Sequence, residues 1–166
     1  MFTRQEAIEK LLKSYESYFN VQKCEPSQLP LIAICEFFQH TERFVMSKSA
    51  GLGAADGEEF LYLFDLEQLT PEVYEKCMAF VKEDADKRAN IGPDHMYTYV
   101  TPIFICDRCD EEARKALKSC RIHKSYRFTI YGWMDYHVAL LEAAEGRIST
   151  NRSGKVVEKM LKKILQ

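Results

Sequence analysis

The stretch of sequence that decides the fold is Glu59-Phe-Leu-Tyr-Leu-Phe-Asp65, which is followed shortly by Thr70-Pro71-Glu72. A run of apolar residues between two charged ones is typical of a buried β-strand. A threonine, a proline and a glutamate in this order fit the N-cap and the first two positions of a helix. A strand that passes directly into a capped helix predicts a sheet with helices packed against it.

Upstream of this stretch, the pattern predicts one helix and two further strands. Thr3-Arg-Gln-Glu6 is a capping box that begins a helix over about residues 3–19. Leu31–Phe38 is a nearly continuous apolar run and Arg43–Lys48 alternates, so both are predicted to be strands. Asp56-Gly57 is a strong hairpin-turn signal before the next strand. The three strands together predict an antiparallel meander.

The second half of the chain continues with a strand, a helix, a strand, a hairpin and a last helix. These elements are expected at Met96–Ile105, 110–120, Tyr126–Ile130, Trp133–Glu142 with Arg147–Thr150, and 153–165. Pro102 cannot donate a ladder hydrogen bond, which predicts a sheet edge at the far end of the first of these strands. The fold class is therefore α+β: a single domain over residues 1–166, with a mixed, mostly antiparallel sheet and about four helices.

The composition excludes several classes of protein. The 166 residues carry 23 Lys and Arg against 25 Asp and Glu, a formal net charge of −2, whereas nucleic-acid-binding domains usually have a basic excess. Nucleic acid is therefore not expected as a partner. No apolar run reaches the length of about 18 residues that a membrane span needs, so no membrane partner is expected. Charges near the start of the chain oppose a signal peptide, which predicts a cytoplasmic location with the six cysteines reduced.

Four residues have the spacing of a structural zinc site. Cys106, Cys109, Cys120 and His123 follow the pattern C-x2-C-x10-C-x2-H. Residues 110–120 also carry an acidic first turn, a basic last turn and an apolar stripe, which predict a helix about 16 Å long. Ligands of one zinc ion must lie within about 4 Å of each other. No metal and no cofactor is therefore expected, and a metalloprotein stays open as an alternative.

The same Cys106-x-x-Cys109 pair lies where a strand passes into a helix, as in thiol-redox proteins, where the helix N-terminus lowers a thiol pKa. Three carboxylates follow at once, on Asp110, Glu111 and Glu112. Their negative charge would oppose a thiolate. We expect ordinary reduced cysteines, and a thiol-redox protein is kept as a further alternative.

The opening order of one helix, three strands, a helix and a strand is similar to the core of restriction-endonuclease-like folds. Those enzymes hold a metal ion with an acidic residue on one strand and an acid-x-Lys triplet on the next. The strand at 59–65 contains no lysine, and Lys48 has Met46 two positions before it. The order of elements thus allows at most an endonuclease-like fold without an intact active site.

Trp133, Asp135 and His137 alternate along a predicted strand. On a strand they share one face, with neighbours about 6.6 Å apart. An aspartate in this position could orient a histidine as a general base. The plainer interpretation is a polar, solvent-facing side of a sheet. We take these three residues as candidates for the wall of a ligand pocket, with catalysis left open and no enzymatic activity expected.

Four segments together resemble a family of short bacterial proteins of about this length to which no activity is assigned. They are His95-Met-Tyr-Thr-Tyr99, Lys124-Ser-Tyr-Arg-Phe128, Gly132-Trp-Met-Asp-Tyr136 and Thr150-Asn-Arg-Ser-Gly-Lys155. The resemblance covers nearly the whole chain. It implies a cytoplasmic bacterial protein and carries over no catalytic residues.

The leading hypothesis is a non-catalytic domain that binds an unknown small molecule or associates with a second copy of itself. The chain contains no complete catalytic motif. Its 10 Phe, 9 Tyr and 1 Trp would suit the interface of a homo-oligomer, because aromatic residues anchor such surfaces. The same residues would equally suit a core.

Overall fold

The computed structural model of the protein describes residues 2–27, 29–42 and 54–166, in which the chain forms four helices and eight strands. The helices are α1 (Arg4–Glu16), α2 (Pro71–Arg88), α3 (Glu111–Ser119) and α4 (Lys155–Leu165). The strands are β1 (Asn20–Lys23), β2 (Leu31–Glu42), β3 (Ala54–Leu69), β4 (His95–Cys109), β5 (His123–Ser125), β6 (Trp133–Tyr136), β7 (Ala139–Glu142) and β8 (Arg147–Thr150). The predicted α+β class is confirmed.

All eight strands belong to one mixed, mostly antiparallel sheet. β1, β2 and β3 form an antiparallel meander, whereas β3 and β4 are parallel because α2 carries the chain back between them. On the other side of β4, β6 pairs with its first half and β7 with its second half. β5 and β8 add antiparallel partners to β6 and β7. β4 is therefore the central strand.

Helices pack on both faces of the sheet. Side chains of α2 and α3 form an apolar cluster with one face, and side chains of α1 and α4 form a second cluster with the other. A strand covered on both faces has to be apolar at successive positions. This requirement explains the uninterrupted apolar run from Phe60 to Phe64 on β3.

Helices α1 and α2 begin where the sequence predicts. Thr3 and Glu6 form the predicted capping box of α1. The Thr70 hydroxyl accepts a hydrogen bond from the N–H of Val73, and Pro71 opens α2. Among the residues described, none of the helices has the length and apolar character that crossing a membrane requires.

The predicted turn at Asp56-Gly57 is wrong, because both residues lie inside β3 and pair with His40 and Gln39 of β2. A Cβ at Gly57 would come within 2.2 Å of the Tyr97 ring. This glycine therefore permits the close approach of a neighbouring side chain instead of a turn. The predicted strand Arg43–Lys48 falls outside the described residues, and the third strand of the meander is β1, which the sequence did not predict.

Pro102 does not mark a sheet edge, because β4 is paired on both sides. The ladder to β6 ends at Val100 and the ladder to β7 begins at Ile103. The N–H of His137 donates to the Val100 carbonyl, so the backbone groups of Val100 point toward the side of β4 on which β6 and β7 lie. Residues two apart along a strand direct their backbone groups to the same side, so the nitrogen of Pro102 also points there. Its nitrogen thus faces the break between β6 and β7, where no ladder bond is lost. The predicted strand at 133–142 is divided at this break.

The predicted strand at Tyr126–Ile130 is wrong, because these residues form a loop. Residues 127, 128 and 129 have φ values of 47°, 52° and 69°, a left-handed conformation that a strand cannot contain. The N–H of Tyr126 donates to the Gly132 carbonyl, and the N–H of Tyr131 donates to the Tyr126 carbonyl. These bonds close the loop on itself, so the alternating sequence belongs to a turn with exposed side chains.

Gly132 ends this loop with φ 72°, and a Cβ there would lie 2.1 Å from the Met96 carbonyl oxygen. We predict that Gly132→Ala lowers the free energy of unfolding by about 3 kcal/mol. Two costs add together: the strain of an alanine in a left-handed conformation, and the displacement of the β4 backbone at Met96 by the added methyl group. Gly146→Ala is the matched control, with φ 62° and nothing within 4 Å of a Cβ. It should lose only about 1 kcal/mol. Urea denaturation measures both variants, and equal losses would contradict the steric argument.

Candidate functional site

One row of side chains crosses five neighbouring strands of the sheet. The registers pair Phe37 with Glu59, Glu59 with Tyr99, Tyr99 with Asp135, and Asp135 with His123. Directly paired residues project from the same face and are about 5 Å apart. These five residues, which we call the cross-strand row, form a strip in which rings alternate with carboxylates.

The cross-strand row lies at the border of the area that α1 and α4 cover. Leu61, two residues after Glu59 on the same face, already belongs to the apolar cluster under those helices. β3 has 16 residues and is about 50 Å long, whereas α1 has 13 residues and is about 20 Å long. Helices this short leave the first halves of β3 and β4 uncovered on this face.

A cavity of ≈ 190 Å³ lies between the cross-strand row and the helices. Its lining comes from the sheet and from the helix ends: Glu59, Leu61, Tyr99, Thr101 and His137 on the sheet side, and Phe19, Val156, Val157 and Met160 on the helix side. Pockets for drug-sized ligands measure about 300–1,000 Å³. This cavity therefore fits a smaller molecule.

Stacked rings form one wall of this region. The ring centroids of Tyr97 and Tyr99 are 4.5 Å apart, and those of Tyr99 and His137 are 4.7 Å apart. Tyr97 lies over Gly57, and its hydroxyl donates to Gln39 Oε1 at 3.4 Å. Tyr99 is thus held between two rings, so its hydroxyl end is the part that can contact a ligand.

Glu59 is a half-buried carboxylate that makes no hydrogen bond or ion pair with any residue that the structure describes. Burial raises its pKa above the ordinary 4.5. An ionised group removed from water without a partner costs free energy. A carboxyl group in a cavity whose pKa is raised by burial is a candidate for a functional site.

The other well-buried carboxylates among the described residues, Glu142 and Glu58, are satisfied. Glu142 accepts hydrogen bonds from Arg114 at 2.6 Å and from Arg147 at 2.7 Å. Burial opposes its ionisation, but these two guanidinium groups outweigh burial and lower its pKa. Glu58, next to Glu59 on the opposite face, accepts from the Thr98 hydroxyl at 2.7 Å and from the N–H of residue 90 at 2.9 Å.

Asp135 lies between two imidazoles. Its Oδ2 is 3.3 Å from His137 Nε2, and its Oδ1 is 3.8 Å from His123 Nδ1. Burial lowers the pKa of His137 below 6.5, although Asp135 partly opposes this shift. His137 is therefore neutral at pH 7 and donates its Nε2 proton to Asp135, which leaves Nδ1 as an acceptor.

The structure places Trp133, Asp135 and His137 on one face, as their alternation indicates, and His137 lines the cavity. Trp133 belongs to the next row, with Tyr97. That these residues bind a ligand stays a prediction. Sequence reasoning missed Glu59 and Tyr99, because only the register of β3, β4 and β6 brings them beside Asp135.

The structure does not bring together the four residues of the zinc alternative, Cys106, Cys109, Cys120 and His123. Cys106 is buried in the cluster under α2 and α3, and Cys109 and Cys120 pack against that cluster from the two ends of α3. His123 lies in the cross-strand row, on the opposite face of the sheet. Within the described residues, no group of three or more His, Cys, Asp and Glu side chains could hold a metal ion.

The thiols of the Cys-x-x-Cys pair are protonated at neutral pH. Burial raises the pKa of Cys106 to about 12 and that of Cys109 to about 11. Arg114 partly offsets the shift at Cys109, whereas Glu142, Asp110 and Glu111 add to it. A redox-active cysteine needs a lowered thiol pKa, so the raised pKa values of Cys106 and Cys109 do not support the thiol-redox alternative.

A model of the family described as a domain of unknown function (DUF8052) matches residues 3–163. The chain belongs to this family. The whole cross-strand row lies inside the family domain, and the resemblance to a family without an assigned activity is confirmed to that extent. Comparisons with curated proteins and with solved structures each give no match.

The fold shares its opening order of elements with restriction-endonuclease-like folds but lacks their acid-x-Lys triplet on β3. The opening order α1-β1-β2-β3-α2-β4 is present. β3 contains no lysine, so the acid-x-Lys triplet cannot form on it. The description of the family names no activity, so membership in it gives no support to a nuclease.

We predict that Glu59→Gln raises the melting temperature at pH 7 by about 2–4 °C, because it removes an unpaired half-buried charge worth about 1 kcal/mol. A carboxyl group whose folded-state pKa is raised weakens the fold once the pH exceeds its ordinary pKa. The gain should therefore shrink to zero as the pH falls below 4.5. Glu67→Gln, on the same strand but exposed and beside Arg108, is the control and should change little. Thermal unfolding from pH 4 to pH 8 tests this, and a destabilised Glu59→Gln at pH 7 would contradict it.

Proposed function

We propose that the protein binds a small molecule in the cavity between the cross-strand row and helices α1 and α4, as a binding protein and not as an enzyme. The observation that carries this proposal is the unpaired carboxylate of Glu59 inside a cavity. A half-buried carboxylate that lines a cavity and has no protein partner is suited to a partner that arrives with a ligand.

The shape of the site also supports binding. Ligand sites are concave, mostly apolar and carry a few placed polar groups. Here Phe19, Leu61, Val156 and Met160 supply the apolar surface, and Glu59 supplies a fixed charge. The stacked rings hold the wall in place before a ligand arrives, which reduces the entropy lost on binding.

We predict that Val156→Phe abolishes binding, because Val156 is 60% exposed at the rim of the cavity and a larger side chain would fill it. Val156→Ala leaves the cavity open and is the matched control. The probes are small ammonium ions, carboxylates, inorganic phosphate and uncharged polyols. Fluorescence of Trp133, the single tryptophan, and thermal shift report binding.

The proposal requires at least one probe class to give a saturable response in the parent protein and in Val156→Ala. That response must be lost in Val156→Phe. If every probe fails, or if Val156→Phe responds like the parent protein, the cavity is not a ligand site.

Self-association is a second candidate function, which the loop at 126–131 favours. Phe128 is 97% exposed and Ile130 is 72% exposed, on a backbone held in a left-handed turn. Large apolar side chains presented on an ordered loop are typical of interface anchors. The proposed partner is a second copy of this chain.

We predict that light scattering after size exclusion shows the mass of two chains at high protein concentration. Phe128→Ser should shift the equilibrium toward one chain by at least tenfold in dissociation constant, the effect of losing an interface anchor. Tyr18→Ser is the control, since Tyr18 is 77% exposed outside the loop. A single-chain mass at all concentrations would contradict self-association.

A bacterial origin and a cytoplasmic location complete the proposal. The cytoplasmic location is supported by the six cysteines, all of which are free, as is usual in a reducing compartment. The bacterial origin rests on the resemblance of the four segments at residues 95–99, 124–128, 132–136 and 150–155.

A further inference from the structure

Three oxygen-bearing side chains of the cavity lack a partner among the residues that the structure describes. They are the carboxylate of Glu59 and the hydroxyls of Tyr99 and Thr101. Glu59 and Tyr99 are paired in the β3–β4 register, and Thr101 follows Tyr99 on the same face of β4. The three groups therefore belong to neighbouring positions on the sheet wall of the cavity. Each of them can accept a hydrogen bond.

The charge along this wall of the cavity is negative. Glu59 carries the charge inside, and Asp135 lies on the other side of Tyr99 in the cross-strand row. His137 and Tyr99, the other titratable groups of the lining, are neutral at pH 7, because burial lowers the pKa of His137 and raises that of Tyr99. No lysine or arginine lines the cavity within the part of the chain that the structure describes. An anion would be repelled, and a cation would be attracted.

The rest of the lining is apolar. Phe19, Leu61, Val156, Val157 and Met160 supply the apolar part of the lining. At ≈ 190 Å³ the cavity is too small for a drug-sized molecule. The part of the ligand that does not touch the oxygens is therefore short and aliphatic.

We infer that the ligand is a small primary amine, bound as its ammonium ion by Glu59, Tyr99 and Thr101. This inference rests on the proposed function, because it assigns a ligand class to the same cavity. An alkylammonium group has three N–H donors and no acceptor, which matches three acceptor groups on one wall of the cavity. The charged hydrogen bond to Glu59 supplies most of the affinity, and the aliphatic body contacts the apolar side chains of the lining.

The experiment compares four probes of similar size on the parent protein at pH 7, by calorimetry and Trp133 fluorescence. n-Butylammonium has the charge, the three donors and the chain. n-Butanol lacks the charge, n-butyrate reverses it, and tetramethylammonium keeps the charge but has no N–H donor. We expect n-butylammonium to bind at least tenfold more tightly than each of the other three.

Variants of the lining separate the contributions. Glu59→Gln keeps the shape but removes the charge, and it should weaken n-butylammonium binding by at least tenfold, because hydrogen bonds to charged groups contribute about 1.5–3 kcal/mol. Tyr99→Phe and Thr101→Val each remove one acceptor and should weaken binding severalfold. Glu67→Gln makes the same charge change at the far end of β3, where Glu67 is exposed, and should have no effect. The Glu59→Gln variant is expected to fold, since its substitution is stabilising.

The possible outcomes distinguish this inference from the proposed function. If n-butyrate, n-butanol or tetramethylammonium binds as tightly as n-butylammonium, and Val156→Phe abolishes that binding, the cavity is a ligand site but the amine assignment is wrong. If n-butylammonium binds equally well to Glu59→Gln and to the parent protein, the assignment is also wrong. If no probe binds, both proposals fail.

Discussion

β3 and β4 are much longer than the helices that pack on them, and this difference in length fixes where a site can form. α1 and α4 have 13 and 11 residues, against 16 in β3 and 15 in β4, and a strand residue also spans about twice the length of a helix residue. On that face, the first halves of β3 and β4 are therefore left without a helical layer. The cross-strand row lies where the covered and uncovered parts meet, so its side chains are partly shielded from water and still reachable by a ligand.

Partial shielding from water raises the pKa of the Glu59 carboxyl group and still leaves it reachable by a ligand. A fully exposed carboxylate would be hydrated, and a fully buried one would need a partner such as the two arginines of Glu142. Glu58 shows the same rule on the opposite face, where a threonine hydroxyl and a backbone N–H satisfy it. Glu59, by contrast with these two glutamates, has no such partner among the described residues. A local departure of this kind is expected where function outweighs stability.

The cysteine motif shows how far spacing can mislead. C-x2-C-x10-C-x2-H reads as a metal site along the sequence, but Cys106 and His123 lie on opposite faces of the sheet. The helix signals in residues 110–120 correctly indicate a rigid element between Cys109 and Cys120, which is α3. A helix such as α3 can separate residues that are close in the chain. Strand pairing can bring together residues that are far apart in the chain, such as Glu59 and Asp135.

The sequence by itself determined the features that depend on a few neighbouring residues. The capping box of α1, the start of α2 at Pro71 and the shared face of Trp133 and Asp135 all follow from local backbone chemistry and from the period of two along a strand. The tertiary structure decided what depends on distant partners. The parallel pairing of β3 with β4 and the left-handed loop at 127–129 are set by contacts between segments far apart in the chain. No local pattern encodes those contacts, because their free energy exists only once the sheet has assembled.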